Sequence, residues 1–317
     1  MKNMKKVLVT GAAGFIGSNM VKFLLEKTDY KVIGIDNFSG GEMNKSFIEE
    51  LEKNNDRFEL INDDFVNVDL ENVNMVYHFA AIPRVLYSVE HPIETNHDNV
   101  SKTLMLLENC SKHNIDRFVF SSSSSIYGDV DNFPTKEDEP KLPKSPYALQ
   151  KSIIEDYCRL WSELYGLDTV SLRYFNVYGP NQYAENSYAT VICAWIKNYI
   201  ANEEIRLDGD GTQSRDFTYV TDICNANYII GGYNGKLNGK CFNAAGGNNY
   251  SLNEIKGLIE EMSNNRPNII VKPSRSGDVF KTHSDSSDLG SFGFKTNTTL
   301  EEGVKNTYKW YKEIIEK

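Results

Sequence analysis

An α/β fold, a doubly wound parallel sheet with a second, smaller mixed α/β lobe, follows from three observations on the sequence. Short β-branched runs alternate with helical stretches through residues 1–176. The first of these runs ends on a glycine-rich turn that leads directly into a helix. After Gly179-Pro180 the alternation breaks up into helices separated by Gly/Asn/Ser-rich loops.

Each element has a local reason. Val7-Leu8-Val9-Thr10 is the first strand, followed by Gly11-Ala12-Ala13-Gly14-Phe15-Ile16-Gly17 and an amphipathic segment from Ser18 to Glu26. Glycines at this spacing let the backbone turn tightly and approach a pyrophosphate, which sits at the helix N-terminus as in a Rossmann-like unit. The second strand, Lys31 to Asp36, ends on an acid about twenty residues past the glycines, where a carboxylate accepts hydrogen bonds from adenine ribose hydroxyls. Asn37, Phe38, Ser39 and Gly40 follow without a cation to neutralise a 2′-phosphate, which favours NAD over NADP. Phe58–Ile61 and Met75–Phe79 read as strands leading into Asn62-Asp63-Asp64-Phe65 and Ala80-Ala81, positions that border the cofactor crevice of a parallel sheet.

A helical stretch between Asn96 and Lys112 precedes the fifth strand, Arg117–Ser121, and a serine run, Ser121 to Ser125. Ser145-Pro146 is a helix-start signal, the hydroxyl capping free N–H groups and proline fitting the first helical position. Tyr147 and Lys151 then form an i, i+4 pair on one face of a helix running to about Tyr165. A neighbouring ammonium and the positive helix end both favour the phenolate. Lowering a phenol from near 10 by about three units takes roughly 4 kcal/mol. Thr169–Tyr174 is a sixth strand ending at Phe175-Asn176. Helices are expected over Tyr188–Asn198, Asp222–Ile230, Leu252–Ser263 and Leu300–Glu316, and Cys241–Ala244 has the pattern of a strand returning to the large sheet.

Composition narrows the function. The 317 residues are 40% hydrophobic and 25% charged, ordinary for a globular protein. A net charge of −10 argues against nucleic-acid or anionic-membrane partners. The five cysteines are scattered, with no Cys-x-x-Cys pair, and the five histidines lack ligand spacing, as expected for reduced thiols of a cytoplasmic protein without a metal. The basic start, Met1 to Lys6, runs into a strand and not a signal peptide, and no apolar run approaches a membrane span.

With Thr10-Gly11-x-x-Gly14-x-x-Gly17, Asp36, the serine run, Tyr147-x-x-x-Lys151, Arg173-Tyr174-Phe175-Asn176, Arg215-Asp216-Phe217 and Arg275-Ser276-Gly277-Asp278 in this order, the chain resembles the extended short-chain dehydrogenase/reductase family. Within it the chain looks most like the UDP-sugar 4-epimerases. The resemblance implies a redox-neutral cycle with NAD held throughout. Tyr147 takes the proton of the sugar 4-hydroxyl while C4 gives its hydride to the nicotinamide, and the 4-keto sugar turns over and is reduced from its other face. It also implies that Lys151 bonds the nicotinamide ribose and that Ser123 bonds the 4-oxygen, with Ser124 and Ser125 as alternatives. The cofactor set is then Gly11, Gly14, Phe15, Ile16, Gly17, Asp36, Asn37, Asp64, Phe65, Ala80, Ala81, Asn99, Tyr147, Lys151 and Tyr174.

The same resemblance divides the chain into an NAD-binding domain, 1–176, with 216–244 returning to it, and a sugar-nucleotide lobe, 177–317. Arg215 and Arg275 fall where the family binds the diphosphate, Asp278 where a carboxylate holds the uridine ribose, and Asn176 where an amide contacts a phosphate. Arg84 and Ser124 complete the substrate set. Dehydratases and decarboxylases of the family carry acids where this chain has Ser124 and Ser125, which leaves simple 4-epimerisation. Thr282 stands where a tyrosine suits plain hexoses and a smaller residue admits an N-acetyl group. Together with Ala81-Ile82-Pro83-Arg84 and Asn186-Ser187-Tyr188-Ala189, it points to UDP-GlcNAc and UDP-GalNAc, with UDP-Glc/UDP-Gal as a slower pair. The alternatives are a UDP-glucose 4-epimerase, another sugar-nucleotide enzyme of the family, or an NAD-binding regulator. A homodimer through the helices 96–112 and 145–165 is also implied, Leu104, Leu107, Ile153, Ile154 and Trp161 serving either there or against the sheet.

Overall fold

The computed structural model describes residues 4–184, 190–273 and 280–316. Its elements in chain order are β1 (Lys6–Thr10), α1 (Phe15–Lys27), β2 (Lys31–Asp36), α2 (Lys45–Lys53), β3 (Phe58–Asn62), β4 (Met75–His78), α3 (Val85–Glu90), α4 (Pro92–Asn96), α5 (Lys102–Lys112), β5 (Arg117–Ser123), α6 (Pro146–Tyr165), β6 (Thr169–Tyr174) and β7 (Val177–Tyr178). There follow α7 (Val191–Ala201), β8 (Ile205–Asp208), β9 (Ser214–Arg215), β10 (Thr218–Tyr219), α8 (Val220–Gly232), β11 (Lys240–Ala244), β12 (Tyr250–Ser251), α9 (Leu252–Met262), β13 (Ile269–Lys272), α10 (Ser287–Gly290) and α11 (Leu300–Ile315).

Seven of these strands form one sheet in the order β11-β6-β5-β4-β1-β2-β3, all parallel. Both faces are covered, so the strands are apolar on both sides. Alternate residues enter alternate cores: Val7 and Val9 of β1, Val119 of β5 and Val170 and Leu172 of β6 pack with α1 and α8. Leu8, Phe118 and Phe120 pack the other way, with α5 and α6. The expected returning strand is β11, paired with β6 from Lys240↔Val170 to Ala244↔Tyr174. A further core gathers α7, α9 and α11 over the two-stranded sheet β8-β13.

Boundaries differ from the sequence reading where polar residues carry a ladder. β5 runs two serines past the apolar stretch because Ser122 and Ser123 pair with Arg173 and Tyr174 of β6. The helical stretch before β5 is broken by a π turn over His97–Ser101. Tyr188, the expected start of α7, lies outside the described residues. Of the residues named for a helical dimer contact, Leu107 and Ile154 are core residues, and Leu104, Ile153 and Trp161 are partly buried against that core. Among the described residues no helix is long and apolar enough to cross a membrane.

Candidate active site

Parallel pairing brings the C-terminal ends of β1, β2, β4, β5 and β6 to one edge, the edge at which open α/β sheets bind ligands. The turn after β1 is built for close approach. Gly11 has φ +67°, and a Cβ there would lie 2.8 Å from the Ala80 nitrogen. Its N–H donates to the Ile35 carbonyl at 2.9 Å, while the Gly14 N–H donates to the Gly11 carbonyl at 2.9 Å. Gly17 is packed still closer, since a Cβ there would lie 2.0 Å from the Gly11 carbonyl oxygen. α1 starts at Gly14 with no side-chain cap and no acid in its first turn, and Phe15 and Ile16 pack back on the core. The first-turn N–H groups are thus left for an anion.

Asp36 closes this turn from β2. Its carboxylate accepts from the Ala13 N–H at 2.9 Å and the Phe38 N–H at 2.8 Å, and burial nonetheless lifts its pKa above the usual value. Asn37 extends its amide toward Asp64 at 3.5 Å, and Asp64 is held by Lys102 at 2.8 Å. Phe65 stands edge-on to the buried His78. Thr10 fixes the end of β4, accepting from the Ala80 N–H at 3.2 Å. Of these residues, Asp36 and Ala80 lie directly against the glycine turn.

Two members of the expected cofactor set have their polar groups committed elsewhere. Asn99, in the π turn, accepts from the Ile82 N–H at 2.7 Å and donates to the Ile82 carbonyl at 3.1 Å and to Gln150 at 2.8 Å. It therefore clamps the loop after β4 in place of offering a free amide. The Tyr174 phenol donates to Asn227 at 3.0 Å within the α8-side core. Neither commitment leaves a signal in a one-dimensional pattern.

The chemistry gathers where β5 meets α6. The Ser145 hydroxyl accepts from the Ala148 N–H at 3.2 Å, with Pro146 in the first helical position. Ser123 lies beside the Tyr147 phenol and favours its ionised form, and the Ser123 hydroxyl accepts from the Ser125 hydroxyl at 2.9 Å. Lys151 is buried, donates to the Ser121 carbonyl at 2.7 Å and lies 5.8 Å from the Tyr147 ring centre. The serine run alternates as a strand should: Ser121 meets Tyr174, Ser122 donates to Glu155 at 2.6 Å, and Ser123 meets Tyr147. Ser124 and Ser125 are half-buried in the turn that follows.

The electrostatics differ from the expectation of a depressed phenol. Burial pushes Tyr147 up to about 12, with Ser123 pulling the other way. Burial likewise pushes Lys151 down to about 7, opposed by Cys158 and Glu155. Desolvation sets both shifts because both titrating atoms are enclosed.

The substrate-side residues form a second cluster. Asn176, with φ +34°, donates at 3.1 Å to both the Asp216 carbonyl and the Thr282 hydroxyl. That hydroxyl also accepts from the Asp216 N–H at 3.0 Å, and Arg215 donates to the Ser214 and Phe280 carbonyls at 3.0 Å. Asp216 itself, pushed up to about 7 by burial, ties this segment to the Ser284 N–H at 2.9 Å. Arg84, half-buried, stands at the N-cap position of α3 without a side-chain capping bond and lies over the Tyr87 ring at 5.4 Å. Arg275, Asp278 and Asn186 to Ala189 lie outside the described residues. A cavity of about 650 Å³ between Lys5, Arg117, Asp168 and Tyr233 lies at the opposite, N-terminal end of the strands. There Arg117 is saturated by Asp168 and the Ile230 and Tyr233 carbonyls.

Comparison with known proteins agrees with this geometry. Residues 7–245 match the model of the NAD dependent epimerase/dehydratase family. A putative UDP-glucose 4-epimerase of Methanocaldococcus jannaschii is 36% identical over 313 residues, 96% of this chain and 98% of the relative. The UDP-N-acetylglucosamine 4-epimerase of Methanobrevibacter ruminantium M1, solved with UDP-N-acetylmuramic acid, superposes with a TM-score of 0.91 at 37% identity over 99% of both chains. The UDP-glucuronic acid 4-epimerase of Bacillus cereus, solved with UDP-glucuronic acid and NAD, gives 0.90 at 32% identity over 98% of this chain and 99% of the other.

Proposed function

The chain belongs to the NAD-dependent epimerase/dehydratase family and is an NAD-dependent UDP-sugar 4-epimerase, and we propose that the pair it interconverts is UDP-GlcNAc and UDP-GalNAc. The residues fit the cofactor. Cβ-free contacts at Gly11 and Gly17, the uncapped start of α1 and Asp36 form a cradle for a dinucleotide, with no cation among Asn37 to Gly40. What NAD supplies when bound is a reversible acceptor for the electrons and hydrogen taken from carbon 4.

The chain's own groups handle the proton and the orientation. Tyr147 takes the proton of the 4-hydroxyl and returns it, with Ser123 sharing the same oxygen site, an inference carried by the placement of Ser123 beside the phenol. Arg215 and Arg275 meet the diphosphate, and Asn176, Asp278 and Arg84 hold the rest of the substrate. Thr282 supports the choice of sugar, since its short side chain is drawn back to Asn176 and leaves width that a tyrosine would fill. The resemblance to the M. ruminantium enzyme supports it as well. The test is incubation with UDP-GlcNAc without added NAD. UDP-GalNAc is the expected product, and conversion confined to UDP-Glc, a 4-keto-6-deoxy sugar or CO₂ would overturn the reading.

Burial lets Lys151 give up its proton near pH 7, while Tyr147 keeps its own up to about 12. Below about 7 both sites are protonated and no base is present. Above it Lys151 is neutral, so the proton that Tyr147 takes from the sugar has a site to move on to. The kcat is therefore expected to rise with unit slope up to about pH 7 and level off above, read from rates between about pH 5.5 and 9. A flat or falling profile would contradict this.

We also place the enzyme in a reducing cytoplasm, as its five free thiols suggest, and as a homodimer. Met105 of α5 and Leu149 of α6 expose about half their surface on the helices concerned. Sedimentation at micromolar concentration tests the dimer.

A further inference from the structure

The first turn of α6 has one donor that its own cap does not serve. Pro146 has no N–H, Ala148 is taken by Ser145, and the remaining donor is the N–H of Tyr147 itself. It donates to the hydroxyl of Ser88 at 3.1 Å. Ser88 is fully buried in α3, and its own hydroxyl proton goes to the Val85 carbonyl at 2.6 Å. Its rotamer is thereby set with a lone pair toward Tyr147. The segment from Ile82 to Ser88 is anchored to α6 at both ends: Ser88 binds Tyr147 directly, while Ile82 is clamped by Asn99, which is bonded to Gln150, which donates to Thr95 at 3.0 Å. Arg84 lies between the two anchors, one helical turn from Ser88, whose N–H donates to the Arg84 carbonyl at 2.8 Å.

We infer that Ser88 is a positioning residue for the epimerisation: through the backbone N–H of Tyr147 it fixes where the phenol oxygen stands relative to Ser123, and it ties that placement to the Arg84 segment. The inference rests on the function proposed above. Ser88 touches neither the reacting oxygen nor the glycine turn, so its removal should spare binding and slow the proton transfer.

In Ser88→Ala the Tyr147 N–H loses its acceptor. The expected result is a fall in kcat of about 10- to 100-fold with KM and bound NAD within about twofold of the parent, since a misplacement of about 1 Å at a reacting group has costs of this size. Ser88→Thr restores the acceptor and should recover most of the rate. Thr95→Val cuts the neighbouring anchor without touching Tyr147, and should lower Tm while leaving kcat within about twofold. A parental kcat in Ser88→Ala, a rate no better in Ser88→Thr than in Ser88→Ala, or a kcat loss in Thr95→Val matching that of Ser88→Ala would each overturn the inference. If the parent epimerises no UDP-sugar, the proposed function falls and this inference with it. An active parent with an unaffected Ser88→Ala removes the positioning role alone.

Discussion

Tyr147→Phe is expected to lower kcat on the order of 10³-fold while the purified protein keeps its NAD and its melting temperature. Ser123, beside the phenol, retains the Ser125 hydroxyl and N–H as partners at 2.9 and 3.2 Å. Loss of the oxygen therefore leaves no stranded buried donor, so stability changes little. The rate, by contrast, loses its proton acceptor. Ser123 cannot substitute, because a serine hydroxyl has no accessible pKa and Lys151 is aimed at the Ser121 carbonyl, 2.7 Å away. The measurement is UDP-GalNAc formation under saturating UDP-GlcNAc, alongside NAD released on denaturation and a thermal melt. Retention of a tenth or more of the parental rate would mean that another group takes the proton.

How far the sequence carried this picture depends on the range of the forces concerned. The large sheet was legible because its strands are buried on both faces, so their apolar runs survive without context, and α6 because Ser145, Pro146 and its apolar face agree. Even the edge strand β11 carried a pattern, Cys241-Phe242-Asn243-Ala244. The second lobe was blurred because β7, β9, β10 and β12 are two residues long and exist through pairing partners far along the chain, such as Tyr250↔Arg215. The site divides the same way. Gly11, Asp36, Tyr147 and Lys151 have spacing that announces them. Ser88 and Asn99 act through contacts across 59 and 17 positions, and nothing near them in sequence marks their role. The ionisation of Tyr147 and Lys151 could not be read at all, since the sign of the shift turns on burial and not on their i, i+4 spacing.

Gly17→Ala should cost the protein its cofactor. A Cβ at position 17 would lie 2.0 Å from the Gly11 carbonyl oxygen, 2.8 Å from its carbon and 3.2 Å from Ala12 Cα, all backbone atoms. No rotamer change relieves such a contact, so α1 and the turn must separate by more than an ångström. The Gly11 side is not free to yield: its N–H is held by Ile35, and its own Cα faces the Ala80 nitrogen. Alanine gains about 1 kcal/mol of helix propensity over glycine, but overpacking of this kind costs about 3 kcal/mol. The net loss, about 2 kcal/mol, should lower Tm by roughly 3 °C in a chain of this size. Bound NAD should fall by about tenfold or more, because the displaced atoms are those that face the pyrophosphate. Gly14→Ala supplies the internal scale. Gly14 is exposed, with φ −73° and ψ 171°, which alanine adopts freely, and its Cβ would meet only the Gly11 oxygen at 3.0 Å. It should therefore keep more NAD and a higher Tm than Gly17→Ala. If the two variants rank the other way, the contact between α1 and the Gly11 turn is not what holds the cofactor.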